Sequence, residues 1–177
     1  RISLLDSVAP GAQITITANV TAPTSSGTYN FQWRLVQDAV ESFGETSTNV
    51  AIVVAPAANS STFISQYIPT TIVKGEDFSA SFVFENSGNT IWKSATNYAL
   101  GSQSPQDNLN WGLNRVALPN DVLPGEQVTI TTNLITENVG SQNLGWKMVQ
   151  DGVEWFGAQS TITNINVNQR SNDAEFI

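Results

Sequence analysis

The sequence predicts an all-β chain of antiparallel sandwiches, about seven short strands to each, with no significant helix. Three observations predict it. Apolar and polar residues alternate along several short runs, the mark of half-buried strands. Turn-forming residues punctuate these runs at Pro10-Gly11, Asn86-Ser87-Gly88, Pro124-Gly125 and Asp151-Gly152. No stretch of ten or more residues carries helical periodicity, while Thr and other β-branched residues, which suit strands, are frequent.

The first strand expected along the chain covers 14–20, with Ile14, Ile16 and Val20 on one face and threonines on the other. A second runs over 78–84, with Phe78, Phe82 and Phe84 at strand spacing. A third covers 128–134, where Val128, Ile130 and Leu134 alternate with Thr and Asn. Asp151-Gly152, between Met148-Val149-Gln150 and Val153-Glu154, predicts a tight two-residue hairpin. A last strand covers 162–167.

The chain repeats itself. Pro10-Gly11-Ala12-Gln13-Ile14-Thr15-Ile16-Thr17 answers Pro124-Gly125-Glu126-Gln127-Val128-Thr129-Ile130-Thr131. Trp33-Arg34-Leu35-Val36-Gln37-Asp38 answers Trp146-Lys147-Met148-Val149-Gln150-Asp151, and Phe43-Gly44 answers Phe156-Gly157. Arg1 falls on Arg115, and the one-residue slip comes near Pro23. In the same frame Asn59, Phe63 and Ile64 fall on Asn172, Phe176 and Ile177. Residues 1–56 then read as the back half of one repeat and 59–168 as a complete one. Residues 169–177 read as a linker and the first strand of a third. The chain reads as a window on a longer array, cut out of phase.

A lone back half is costly. Its inward positions include Ile14, Ile16, Val20, Phe31, Trp33 and Leu35. Leaving six to eight such side chains in water forgoes roughly 1.5–3 kcal/mol each. The total, about 10–20 kcal/mol, rivals the whole stability of a domain. Something must complete it, either adjoining chain or strands donated by a neighbour.

Composition narrows the function classes. The 177 residues carry a formal charge of −8, which argues against nucleic acid, a partner that wants clustered Lys and Arg. Without Cys or His there is no thiol nucleophile, no disulfide, and none of the commonest general base or metal ligand. No run of about 18 apolar residues is present to span a membrane as a helix. Only 12% of residues are charged, about half the ordinary share, while Ser, Thr, Asn and Gln supply about 65. Such a polar but neutral surface fits a secreted or cell-surface β-protein.

The complete repeat also resembles a known family. Asn86-Ser87-Gly88-Asn89-Thr90-Ile91-Trp92 is similar to its strand-turn-Trp signature. Tyr98-Ala99-Leu100, Leu123-Pro124-Gly125-Glu126, Gly145-Trp146-Lys147-Met148 and the run from Gly152 to Gly157 follow in the family's order. The first copy adds Pro23, Gly27, Tyr29 and Trp33-Arg34-Leu35. The family is the immunoglobulin-like "four-tryptophan" domain, found in selective-autophagy cargo receptors and in bacterial exported proteins. Two of its tryptophans appear here as Trp92 and Trp146. The others are replaced, one by Phe82 or Phe84 and one near Thr161. The resemblance implies tandem immunoglobulin-like sandwiches, a core built on Trp33, Trp92, Trp146, Phe43, Phe156 and Phe84, and a binding or spacer role rather than catalysis.

Several residues are candidates for chemistry. Asp38 and Glu41 recur as Asp151 and Glu154, a pair that could do acid–base work; a hairpin corner and its solvent face explain them as well. The 104–110 loop, with Asp107, Asn108 and Asn110, offers oxygen ligands for calcium but matches no calcium-loop spacing. Trp111, Trp155 and Tyr98 are candidates for an exposed contact surface, for a glycan or a neighbouring domain. Lys74 and Lys93 are candidates for an intramolecular bond to Asn; Lys147 is not, because Arg34 replaces it in the first copy. Asn19 and Asn59 open glycosylation sequons. The sequence therefore predicts a non-catalytic extracellular module, structural or adhesive, with no cofactor or metal. Its expected partners are copies of itself or adjoining repeats. The alternative is an accessory carbohydrate-binding module of a secreted hydrolase.

Overall fold

A computed structural model describes residues 1–171; Asn172, Phe176 and Ile177, the expected start of a third copy, lie outside the described residues. The chain is all-β, and among the described residues its one helical element is a 3-10 turn at Ser94–Thr96. It divides into two compact units, Arg1–Pro56 and a second that begins at Ala57.

The first unit holds four short strands: β1 (Gly27–Phe31), β2 (Leu35–Gln37), β3 (Glu41–Phe43) and β4 (Val50–Val54). β1 pairs antiparallel with β4, and β2 with β3. No residue of this unit is buried; Tyr29 and Val54 are half-buried. Ile14, Ile16, Val20, Phe31, Trp33, Leu35, Phe43 and Val50 are all exposed.

The strand expected over 14–20 is not formed. Its match in the second unit, β10, has a single neighbour in its sheet, β7. Residues 1–56 contain no counterpart of β7. A strand without a partner leaves its backbone donors and acceptors to water and gains nothing from extension.

Among the described residues the second unit holds nine strands. These are β5 (Ser61–Tyr67), β6 (Thr71–Val73), β7 (Phe78–Asn86), β8 (Tyr98–Gln103), β9 (Arg115–Ala117), β10 (Gln127–Leu134), β11 (Gly140–Gln150), β12 (Glu154–Gln159) and β13 (Thr163–Asn168). One sheet has the order β10-β7-β5. The other has the order β6-β13-β11-β8-β9, with β12 also on β11. All pairs are antiparallel except β13 with β6.

One hydrophobic core joins the two sheets. The alternation expected over 128–134 is realised: Val128, Ile130 and Leu134 are buried, and the residues between them mostly are not. On β7, Ala80, Phe82, Phe84 and Asn86 point inward. From the opposite sheet come Leu100, Trp146, Met148, Ile165 and Val167. Phe82 and Trp146 meet across the sheets with centroids 6.0 Å apart. Each such large apolar side chain contributes about 1.5–3 kcal/mol on burial.

The hairpin after β11 differs from the expected form. Gln150 pairs with Glu154, so the loop has three residues rather than two. Val153 N–H donates to Gln150 O at 2.9 Å, closing a turn whose third residue, Gly152, sits at φ 80°. In the first unit Ala39 takes that place at φ 63°, where its Cβ is crowded.

Candidate functional site

Two carboxylates of the second unit, Asp107 and Asp151, gather around Arg115, on the short edge strand β9. Its Nε donates to Asp151 Oδ1 at 2.9 Å, its Nη2 reaches the same carboxylate at 2.9 Å, and its Nη1 lies 2.6 Å from Asp107. The guanidinium also lies over the Trp155 ring, 4.8 Å from its centroid. Burial by itself would lower the Arg115 pKa; hydrogen bonds to Asp151 and Asp107 outweigh it and raise the value. The hydrogen bond from Arg115 likewise holds the Asp107 carboxyl below its ordinary range.

This cluster includes Trp155, one of the candidates for an exposed contact surface. The ring lies against β8 at Gly101, where an added Cβ would sit 2.4 Å from Trp155 Cη2. With Gly101 and Arg115 both against it, the half-buried indole is a packing element. Trp111 and Tyr98 are corrected, since both belong to the core. Gly112, at φ 83°, reverses the loop after Trp111. The indole packs edge-on to Phe78 and donates from Nε1 to Asn143 O at 3.2 Å. Tyr98 packs edge-on to Phe156, and its hydroxyl donates to Asn59 Oδ1 at 2.8 Å.

The other candidates resolve in the same direction. Asp151 is held by Arg115, and Glu154 accepts from Asn59 Nδ2 at 2.9 Å. In the first unit Asp38 pairs with Arg1. Asn108 Nδ2 donates to the Gln103 and Pro105 carbonyls, and its Oδ1 accepts from Asn110 N–H, so its side chain closes its own loop. Among the described residues no three acidic side chains converge as a metal site would require. Lys74 faces Glu137 at 3.6 Å and Lys93 faces Asp121 at 3.7 Å, so each has a carboxylate for a partner. A surface hollow of about 340 Å³ beside Lys74 is lined by Gly75, Glu137, Gln169 and Arg170 and holds a single carboxylate. Among the described residues no helix is long and apolar enough to cross a membrane.

What sets this chain apart is that its two copies share one local structure but not one environment. Leu35 pairs with Phe43, Val36 with Ser42 and Gln37 with Glu41; their matches Met148–Phe156, Val149–Trp155 and Gln150–Glu154 pair identically. Gly27 pairs with Val54 as Gly140 pairs with Val167. Arg1–Asp38 is the counterpart of Arg115–Asp151. Trp92, Trp146, Phe84 and Phe156 occupy the core as expected. Trp33 and Phe43 do not: they are 42% and 46% exposed, against 0% and 4% for Trp146 and Phe156. The physical reason is that residues 1–56 supply one layer and no second layer to cover it.

Two features escaped the sequence reading. Asn59, read as a sequon, is a hub. Its Nδ2 donates to Gln150 and Glu154, and its Oδ1 accepts from Thr90 and Tyr98. Gly157, at φ 67°, lies so close to β5 that an added Cβ would be 2.0 Å from Ser61 Oγ. A signal was present for the second of these, since Gly44 recurs as Gly157.

No family model matches the chain, and no curated protein matches it. A solved structure similar to it is described as "AvmM Catalyzes Macrocyclization in Alchivemycin A Biosynthesis". That likeness has 16% identity and a TM-score of 0.34, covering 65% of this chain and 92% of the other. At that TM-score it carries no argument.

Proposed function

We propose that the chain is a non-catalytic, extracellular repeat module of the immunoglobulin-like, four-tryptophan kind, with a structural or adhesive role in a longer array or filament. Residues 1–56 are the back half of one repeat and await a front half from adjoining chain. The observation that carries this reading is one front half for two back halves. β5, β7 and β10 form the sheet that covers Trp146 and Met148. The matching Trp33 and Leu35 are built on the same strand register and left bare.

Three further points support it. In the second unit the first, third and sixth strands form one sheet and most of the others the opposite one, as in immunoglobulin-like sandwiches. Three of the four recurring acids, Asp38, Asp151 and Glu154, are engaged by Arg1, Arg115 and Asn59 rather than free for proton transfer. The aromatic residues that a carbohydrate-binding module would present, Trp111 and Tyr98, are core residues instead. No specific observation favours that second reading.

The test is a chimera in which residues 59–114 are fused directly ahead of Arg1. Because Arg1 matches Arg115, this connection reproduces the chain path of the complete repeat. The hybrid repeat should fold cooperatively and bury Trp33. A hybrid that leaves Trp33 solvated contradicts the proposal.

A further inference from the structure

A sheet edge is a template for another strand unless something guards it. In the second unit most edges are guarded. β6 and β9 are each three residues long, and β9 carries Arg115. β5 and β12 close on one another where Gly157 lies against the Ser61 backbone, and β5 also carries a register shift between Phe63 and Ser65. β10 has none of these devices. Its eight residues pair with β7 in unbroken register, and among the described residues β7 is its single neighbour. The run Gln127–Leu134 holds no charge, no Pro and no Gly.

Two hydrogen bonds show which backbone groups lie on the free side. Asn86 N–H donates to Glu126 O at 2.9 Å, so the even-numbered residues of β10 turn their backbone groups toward β7. Ile135 N–H, turned the other way, donates to Trp111 O at 3.3 Å and closes that end of the edge. Between these points the amides and carbonyls of Thr129 and Thr131 face outward. Among the described residues nothing in the chain bonds them, and both threonines are exposed.

We propose that β10 pairs antiparallel with β10 of a second copy of this chain, Thr131 opposite Thr131 and Thr129 opposite Asn133. Facing residues exchange both backbone hydrogen bonds, and the two β10-β7-β5 sheets become one. Odd-numbered residues face odd-numbered ones. Val128, Ile130 and Leu134 of both copies therefore stay on one face of the joined sheet and the threonines on the other. Charge selects a second copy as the occupant. Chains of formal charge −8 repel one another, and this edge brings two of them together along an uncharged strand. Threonines facing across strands add to the pairing. The contact is isologous and closes at two copies. It rests on the second unit alone and is independent of how residues 1–56 are completed. In a repeat array it would join neighbouring arrays side by side.

The test is sedimentation velocity on the full chain over a wide concentration range, with amide hydrogen exchange read across residues 127–134. The wild-type chain should dimerise as concentration rises, and exchange at Thr129 and Thr131 should slow at least tenfold in the dimer. Thr131→Pro removes an outward amide at an edge position, where the second unit tolerates proline; it should weaken dimerisation at least tenfold and leave the circular dichroism unchanged. Thr131→Lys and Thr131→Glu should each weaken it as much by opposing like charges, and mixing the two chains should restore dimers. These two variants keep the test decisive if the proline chain unfolds. Thr62→Lys, on an exposed position of β5, should change nothing. A wild-type chain that stays monomeric overturns the inference. So does a dimer that persists in Thr131→Pro, or one whose β10 amides exchange as fast as in the monomer. None of these results bears on whether the chimera of residues 59–114 with 1–56 buries Trp33, so the two readings fail separately.

Discussion

The Trp33 amide donates to Ser47 Oγ at 2.9 Å, and the Trp146 amide donates to Ser160 Oγ at 2.9 Å. The return bonds also match, Ser47 N–H to Trp33 O and Ser160 N–H to Trp146 O, both at 2.8 Å. The two bonds lie at equivalent places in the two copies, one in solvent and one in the core. Local chain chemistry therefore sets the backbone shape of the repeat, and the second layer supplies its burial. On this view substitutions at matched positions should have unequal effects.

Trp146→Ala removes a fully buried indole between the sheets and should cost about 3–5 kcal/mol in chemical denaturation of the second unit. Trp33→Ala, at the matched position, should change that transition by less than about 0.5 kcal/mol, as exposed sites do. Equal losses would show that Trp33 is already packed.

Gly157→Ala places a methyl group into Ser61 and strains a left-handed residue, so it should cost about 3 kcal/mol. Gly44→Ala meets open space and should carry only the backbone strain, about 1–2 kcal/mol. Denaturation of the two variants side by side checks the ratio.

The second unit was legible where burial followed strand period. The 128–134 and 78–84 runs alternate because one face meets the core, and both are strands. The 14–20 run alternates equally well and is not a strand, because periodicity encodes a face to be buried but not the presence of a partner. Trp111 and Tyr98 were misplaced for a related reason. Whether an aromatic near a loop faces in or out depends on backbone reversals such as that at Gly112, which a local pattern does not encode. Asn59 as a hub was illegible because its partners lie on β11, β12 and the loop that precedes β8. The sequence did carry the repeat itself, and with it the matched ion pairs and glycines.

Asn86 is buried, and its side chain joins three backbone groups. Nδ2 donates to Thr90 O at 2.7 Å and Val122 O at 3.0 Å, and Oδ1 accepts from Gly88 N–H at 3.1 Å. Asn86→Ala should strand those groups and cost about 3 kcal/mol. Asn86→Asp should also destabilise, since a carboxylate cannot donate to two carbonyls. Thermal unfolding followed by circular dichroism measures both.

Arg115→Ala should cost about 1–2 kcal/mol, because it breaks two ion pairs and uncovers Trp155. Arg115→Lys should recover less than half, as an ammonium cannot bridge two carboxylates and stack at once. The pH dependence follows from Asp107, whose folded pKa lies below its unfolded value near 3.8. The stabilisation it provides is present above that value and is lost as pH falls through the folded pKa. Asp107→Asn should lower stability near neutrality, flatten the stability profile below about pH 4, and converge with the wild-type chain at low pH.

The most direct test of the central claim is fluorine NMR of fluorotryptophan-labelled protein. It compares the chain with the chimera that carries residues 59–114 ahead of Arg1, with the Trp33 resonance assigned by Trp33→Phe. The account predicts a solvent-exposed Trp33 signal in the chain, and in the chimera a shifted, solvent-protected signal that melts cooperatively. A Trp33 signal that stays solvated in the chimera, or is already protected in the chain alone, would contradict it.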